Sequence, residues 1–158
     1  MFYATLKTLH LLAIIVWIGG MVFAHFFLRP AVGALEPPLR VRLMHAVLGR
    51  FFSAVLAAIA VTLATGLWMI GRVAKQVVQA GAHFSMPLEW TIMATLGIVM
   101  MLIFGHIRFG LYKRLGRAVQ ALDWPAGAAA LAQIRTWVLV NLGLGVLIVL
   151  VTLIGVPR

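Results

Sequence analysis

Histidines and methionines are the side chains of this 158-residue chain whose chemistry could hold a metal, and there are five of the first and eight of the second. Neutral imidazole is the commonest side chain that binds haem iron or copper inside helical bundles. Thioethers are soft donors that suit Cu(I). The absence of cysteine from the sequence excludes disulfides, thiolate catalysis, iron–sulfur clusters and cysteine-based metal sites. Any metal must therefore be held by histidine, methionine, glutamate or backbone atoms.

The spacing of the histidines limits which of them could share one metal. His10 and His25 would lie about 22 Å apart along a helix that rises about 1.5 Å per residue, so one iron cannot bind both. A bis-histidine haem b site would instead use two of His25, His45 and His106, which lie near the same side of the chain's apolar segments. Arg50 could then pair with a haem propionate, as guanidinium groups pair with carboxylates.

His10 is the strongest single candidate for a ligand. At about 100° per residue it shares a helix face with Trp17 and Gly20. Small residues mark the faces by which membrane helices approach each other, so His10 should point into the bundle and need a partner. That partner could be His83, Met86 or a non-protein ligand. His25 should lie at the edge of the same face.

The third apolar segment offers a rival site, for copper. Its soft and acidic residues form one stripe at helical spacing: Met86, Glu89, Met93, Gly97 and Met100. Such a stripe more often serves core packing than metal transfer. Glu89 is the informative member, because an acid at the start of a span is either an interfacial cap or a contact for an ion or proton.

Several of these residues also have ordinary structural interpretations. His45 follows a basic strip and could be an interfacial histidine in water. His106 shares a stripe with apolar residues that should face lipid, so its ring could extend to the headgroups instead of binding a metal. Arg50 could be satisfied by backbone carbonyls or by a lipid phosphate.

The elements that must position these side chains are membrane-spanning helices. The mean hydropathy of +1.10 lies well outside the range of soluble globular proteins. Four segments are long and apolar enough to cross a hydrocarbon core of about 30 Å. They comprise residues 3–28, 46–70, 88–111 and 134–156. The first is too long for a cleaved signal peptide and lacks a small-residue cleavage site.

The distribution of positive charge predicts how these helices are oriented. Thirteen Lys and Arg against three acidic residues give a formal charge of +10. Because these charges flank the spans, they indicate orientation, and no nucleic-acid partner is expected. Four of them lie on the side of the termini and the second connection, namely Lys7, Arg72, Lys75 and Arg158, and the other nine on the opposite side. The excess predicts periplasmic termini in a bacterial inner membrane.

We therefore expect an all-α integral membrane protein: a four-helix up-down bundle with helical cytoplasmic extensions, forming one domain over residues 1–158. Asp123 should cap the last helix, with Pro125 in its first turn. Small residues predict that the second helix packs through one stripe, comprising Arg50, Ala54, Ala57, Val61 and Ala64. The fourth helix should turn a mildly polar stripe inward, comprising Asn141, Gly145, Ile148 and Thr152.

Several blocks of sequence resemble a known family. LKTLHLLAIIVWIGGMVFAHFFLRPA, LEPPLR, LGRFF, GHIRFGLYKRLGRAVQALDWPA and IRTWVLVNLGLGVL are similar to small bacterial inner-membrane proteins of the copper resistance protein D (CopD) type. This resemblance implies copper uptake or tolerance. More distantly, the L-H and W-x-G-G of the first helix and the G-H of the third resemble HemJ-type protoporphyrinogen oxidases, which implies a haem b site that uses His10. Those proteins usually carry a basic residue or histidine where this chain has Glu89, Trp90 and Thr91, so protoporphyrinogen oxidation itself is not expected.

Three functions follow as hypotheses from the sequence. The first is haem b binding with electron transfer, which would make the protein a haem-dependent oxidoreductase with a quinone or membrane redox partner. The second is copper binding or transport, and the third is a non-redox assembly or helper subunit. The lipid bilayer is an expected partner in all three, and small-residue faces favour a homodimer. No phosphate-binding loop, nucleophile elbow or intramembrane carboxylate pair suggests a nucleotide enzyme or a hydrolase.

Overall fold

The computed structural model describes residues 1–154, which form four long helices. They are α1 (Phe2–Ala34), α2 (Pro37–Gln79), α3 (Leu88–Gln120) and α4 (Trp124–Ile154), and each is long and apolar enough to cross a membrane. No strand occurs within residues 1–154, so the all-α, four-helix fold predicted from the sequence is confirmed. Residues 155–156 of the last predicted span and Arg158 lie outside the described part.

The helices extend well beyond the spans predicted from hydropathy. The 43 residues of α2 correspond to about 65 Å at about 1.5 Å per residue, roughly twice the hydrocarbon thickness. Pro37 starts this helix, in the first turn where a missing N–H costs no hydrogen bond. Asp123 caps α4 as predicted, since its Oδ1 accepts a 2.9 Å hydrogen bond from the backbone N–H of Ala126. The helical extensions are thus part of the fold.

The helices run antiparallel to their neighbours, as contacts at several levels show. The His10 ring meets Thr65 at 2.8 Å between α1 and α2. The His45 ring stacks on Tyr112 between α2 and α3, with centroids 4.9 Å apart. His106 meets Trp137 between α3 and α4. A second contact in each pair shows the direction, because Gly20 of α1 faces Phe51, Phe52 contacts Phe104, and Gly145 of α4 faces Met100. The up-down order therefore places the first and third connections at one end, which we call the basic end, and the N-terminus and second connection at the other, which we call the terminal end.

Two helices contain a π-helical segment near the basic end. In α1 it covers Phe23–Leu28, and in α3 it covers His106–Leu111. A π-turn takes up more residues than an α-turn and so changes the rotational phase of the side chains that follow it. For this reason the straight-helix projection that orients His10 does not apply at His25.

The buried core occupies the half of the bundle nearest the basic end. Residues 2–12, 66–79, 88–99 and 146–154, which form the terminal half of the four helices, contain no buried side chain. In the other half, Phe52 is 1% exposed, and Val41 and Leu115 on the helical extensions are fully buried. The extensions at the basic end are therefore packed against each other as tightly as the membrane-spanning parts.

The prediction for the packing face of α2 is wrong. Its small-residue stripe is exposed, including Arg50, Ala54 and Ala57, and the opposite face enters the core through Phe52 and Val55. Helices come close instead where a glycine faces a ring. A Cβ on Gly20 of α1 would collide with the Phe51 ring, and one on Gly49 would collide with the Tyr112 hydroxyl.

The inward faces predicted for α1 and α4 are confirmed. Ala13 and Trp17 are 8% and 5% exposed, and the partly buried His10 lies on the same side. On α4, Asn141 is 1% exposed and Gly145 is also buried. A Cβ on Gly145 would lie 3.2 Å from side-chain atoms of Ile18 and Met100, so this glycine lets α1, α3 and α4 meet at the centre of the bundle.

Candidate functional site

His10 is held in place by a hydrogen bond across the α1–α2 interface. Its Nδ1 lies 2.8 Å from Oγ1 of Thr65, which is 6% exposed. Gly66, the next residue of α2, leaves room for the imidazole, because a Cβ there would come within 3.3 Å of the His10 Cε1. The inward ring of His10 has a partner, Thr65, which differs from the His83 and Met86 named from the sequence, and a metal-binding role of His10 stays a prediction. The sequence gives no signal for this pair, because 55 residues separate the two.

The hydrogen bonds of Thr65 favour one tautomer of His10. Thr65 Oγ1 lies 2.6 Å from the carbonyl oxygen of Val61 and 3.3 Å from that of Thr62, so its single hydrogen is donated within its own helix. In that arrangement Oγ1 accepts a hydrogen bond from His10, which favours the tautomer with its hydrogen on Nδ1. The lone pair of Nε2 is left free. Metal-binding histidines in proteins are oriented in this way by a hydrogen bond from the nitrogen that does not bind the metal.

The methionine stripe of α3 runs from the terminal end to the core. Met86 precedes the helix and is 38% exposed, Glu89 and Met93 are partly buried, and Met100 is 3% exposed. Next to Gly97 the space is open, since no atom would lie within 4 Å of a Cβ there. The methyl carbon of Met100 would lie 3.2 Å from a Cβ on Gly145 of α4. The stripe thus connects the surface with the centre of the bundle.

An unpaired polar atom lies in the core on α4. Asn141 is 1% exposed, and its Oδ1 has no hydrogen-bond partner among the described residues. It precedes Gly145 by about one helical turn and so lies on the same face of α4. A buried acceptor without a partner costs about 1–3 kcal/mol, which a bound ion or water could offset.

The three histidines of the basic end face different surroundings. His25 lines a cleft between α1, α2 and α4. His45 stacks on Tyr112, whose hydroxyl donates a 3.1 Å hydrogen bond to the His45 carbonyl oxygen. His106 is exposed and lies edge-on to Trp137, 5.4 Å between centroids. No group of three or more His, Asp or Glu residues that could hold a metal occurs within residues 1–154.

Comparison with protein-family models gives a match that covers most of the chain. The family model for copper resistance protein D (CopD) matches residues 45–154. The chain belongs to the CopD family. The match begins at His45 and includes α3 with its methionine stripe and α4 with Asn141, whereas the His10 and His25 helix precedes it. Searches of curated proteins and of solved structures returned no match.

The CopD match supports the first of the two resemblances seen in the sequence, and the HemJ-type resemblance gains no support from it. Arg50, proposed from the sequence as the propionate partner of a haem, is exposed on α2, and this role stays a prediction. At the basic end His25, His45 and His106 each contact a different neighbour, and the bis-histidine site stays a prediction. Haem b binding and electron transfer therefore stay predictions without support, and the family assignment favours copper.

Proposed function

We propose that this CopD-family membrane protein binds Cu(I) as its cargo and passes it along the methionine stripe of α3. Membership of the CopD family supports a link to copper. The chemistry of the available donors supports Cu(I), because a chain without cysteine offers thioether and imidazole as its soft ligands. The stripe lies inside the matched part of the chain, residues 45–154.

The observation that carries this proposal is the change in burial along the stripe. Met86 is exposed, Met93 is partly buried and Met100 is almost fully buried. Met93 and Met100 are seven residues apart, about 10.5 Å along the helix, with the open space at Gly97 between them. A cation that enters at the terminal end would meet Glu89 early in α3, where a carboxylate attracts positive charge.

Two side chains at the centre of the bundle could bind an ion. Met100 and Asn141 both lie in the core, and the amide oxygen of Asn141 has no partner among the described residues. A thioether opposite Gly145 and an unpaired amide oxygen about one helical turn from that glycine favour a weak, exchangeable site over a closed structural one. On α1, the free Nε2 of His10 is a separate candidate metal ligand in the terminal half of the bundle.

We also propose that the terminal end faces the periplasm of a bacterial inner membrane. The excess of Lys and Arg beside the first and third connections supports this orientation, because basic residues are retained on the cytoplasmic side. Copper would then enter the stripe at Met86 from the periplasm. Ligand exchange between successive thioethers needs no redox partner.

Cu(I) titration of the detergent-purified protein tests this function. A chromophoric Cu(I) chelator under reducing conditions should report stoichiometric binding to the wild-type protein. Met93→Leu and Met100→Leu should each weaken binding by about tenfold or more, equivalent to about 1.4 kcal/mol. Met101→Leu is the matched control, because it makes the same isosteric change on α3 outside the stripe.

Two results would contradict the proposal. One is wild-type binding no greater than that of empty micelles, and the other is equal weakening by Met101→Leu. The absorbance spectrum of the same preparation, before and after dithionite, tests the haem hypothesis at the same time. A colourless preparation from haem-replete cells would end that hypothesis.

A further inference from the structure

A cleft of about 550 Å³ opens at the basic end of the bundle. Its walls come from α1 over residues 24–33, from α2 over residues 40–48 and from α4 over residues 128–138. The cleft is therefore formed by the consecutive helices α1 and α2 together with α4, the last helix. It lies at the opposite end of the bundle from the start of the methionine stripe and takes no part in the proposed copper path.

The cleft carries a concentrated positive charge without a compensating acid. Each of its three walls contributes one guanidinium: Arg29 from α1, Arg40 from α2 and Arg135 from α4. His25 adds an imidazole. None of the three acidic residues of the chain lines the cleft. Like charges repel when they converge, so this arrangement favours a bound anion that neutralises them.

The remainder of the lining is apolar. Leu48, Ile134 and Val138 are each less than 8% exposed, and Met44 is 9% exposed. Leu48 and Val138 lie further from the connections than Arg29 and Arg40, so these two arginines line the mouth of the cleft. Arg135 lies within one helical turn of Val138, beside the apolar wall. A free anion would leave this apolar wall uncovered. A ligand with a charged head and a hydrocarbon chain would cover both parts.

The local helix geometry also opens this position. Ala24 and His25 lie in the π-helical segment Phe23–Leu28, and both line the cleft. π-turns inside α-helices occur frequently at functional sites, because they break the regular order of side chains. In α1 the irregular segment faces the cleft.

We propose that this cleft binds the phosphate of an anionic phospholipid, with an acyl chain lying along its apolar wall. The planar fork of a guanidinium pairs with two phosphate oxygens at once, and three such groups from three helices would surround one headgroup. Basic pockets between helices on the cytoplasmic side of membrane proteins bind anionic headgroups by this chemistry. The bound lipid would join α1, α2 and α4 at the basic end, independently of any copper bound to the protein.

Native mass spectrometry of the full-length protein released from nanodiscs tests the proposal. Phosphatidylglycerol and phosphatidylcholine with identical acyl chains are the two probes. The wild-type protein should retain one phosphatidylglycerol after delipidation and no phosphatidylcholine. The variant R29Q/R40Q/R135Q should bind phosphatidylglycerol about tenfold more weakly or worse.

The matched control is K113Q/R114Q/R117Q, which removes the same charge from exposed positions of α3 at the same end. It should retain the lipid. An equal loss in the control, or equal binding of the two lipids, would overturn the proposal, because it would show that general charge or hydrophobicity accounts for the binding. Inorganic phosphate distinguishes the two sources of the anion. If it displaces the lipid at millimolar concentration, the site recognises a free anion and the lipid assignment is wrong.

A single substitution keeps the test valid if the triple variant fails to fold. Arg135 is exposed, so replacing it should leave the helices intact, which circular dichroism can verify. Arg135→Gln should weaken lipid retention more than Arg135→Lys, since lysine keeps the charge but loses the planar fork. Equal retention by both variants and the wild type would contradict a role for Arg135 in the cleft.

Discussion

The two halves of this bundle differ in how their polar groups are satisfied and in how tightly their helices pack. In the basic half, rings succeed one another through the core: Trp17 contacts Phe104, Phe104 contacts Phe52, and Phe52 contacts Tyr112, which stacks on His45. In the terminal half, the described helices bury no side chain over residues 2–12, 66–79, 88–99 and 146–154. Its partly buried polar ring, that of His10, is held by a hydrogen bond to Thr65.

This difference in packing predicts that the two halves differ in how easily they open. Regions with few buried contacts open at low free-energy cost, whereas densely packed regions open only with the whole fold. We therefore expect the basic half to contribute most of the stability of the bundle and the terminal half to open at a lower free-energy cost. The methionine stripe starts in the second region and ends in the first, at Met100. Three substitutions test the contrast, each paired with a control.

The largest effect is expected for Phe52→Ala in the basic half. Phe52 is 1% exposed and touches Phe104 and Tyr112, with centroids 5.7 Å and 5.4 Å away. Removing its ring should lower the free energy of unfolding by about 3–5 kcal/mol, because the surrounding helices can only partly fill the cavity. Phe2→Ala is the terminal control, as this ring is 56% exposed and should cost less than about 1 kcal/mol. Unfolding in mixed detergent micelles, followed by circular dichroism, measures both, and equal losses would disprove the contrast.

An intermediate effect is expected for Gly49→Ala. The added Cβ would collide with the Tyr112 hydroxyl, which donates a hydrogen bond to the His45 carbonyl oxygen. We expect a loss of about 1–3 kcal/mol, because the Tyr112 ring must shift and give up this hydrogen bond, or α2 and α3 must move apart. Gly97→Ala in the terminal half meets no atom within 4 Å and should raise helix stability by about 0.5–1 kcal/mol. The same unfolding assay compares the two, and opposite signs are the outcome that supports the contrast.

The smallest effect is expected for Thr65→Val. Hydrogen bonds between membrane helices contribute about 0.6 kcal/mol on average and up to about 1.7 kcal/mol, so losing the His10 contact should cost an amount in this range. Thr95→Val, at an exposed position of α3, should change stability by less than about 0.5 kcal/mol. Nitrogen NMR of the imidazole adds a sharper readout, because the wild-type His10 should carry its hydrogen on Nδ1. A hydrogen on Nε2 in the wild type would contradict the assigned tautomer.

The helical periodicity of the sequence correctly predicted which side chains face inward where a helix is regular. α1 is a regular α-helix from Phe2 to Val22, and within it the 100° projection correctly turned Ala13, Trp17 and His10 inward. The same rule could not orient His25, because the π-helical segment that begins at Phe23 changes the phase. A π-turn has no clear signature in a single sequence.

The small-residue rule failed on α2 for a different reason. In lipid both faces of a helix are apolar, so hydropathy cannot distinguish the face that packs from the face that meets acyl chains. Ala54 and Ala57 face outward, whereas the close contact at Gly49 depends on where Tyr112 lies on α3. A local pattern cannot contain that information.

The sequence by itself determined the number of helices, their antiparallel order, the cap at Asp123 and the list of side chains that could bind a metal, because each depends on length, hydropathy or residues close together in the chain. The tertiary structure alone decided which of those side chains meet. It paired His10 with Thr65, placed Met100 against Gly145 and gathered Arg29, Arg40 and Arg135 around one cleft. Such contacts join different helices, and they depend on the rotation and depth at which whole helices pack, which no local stretch of sequence specifies.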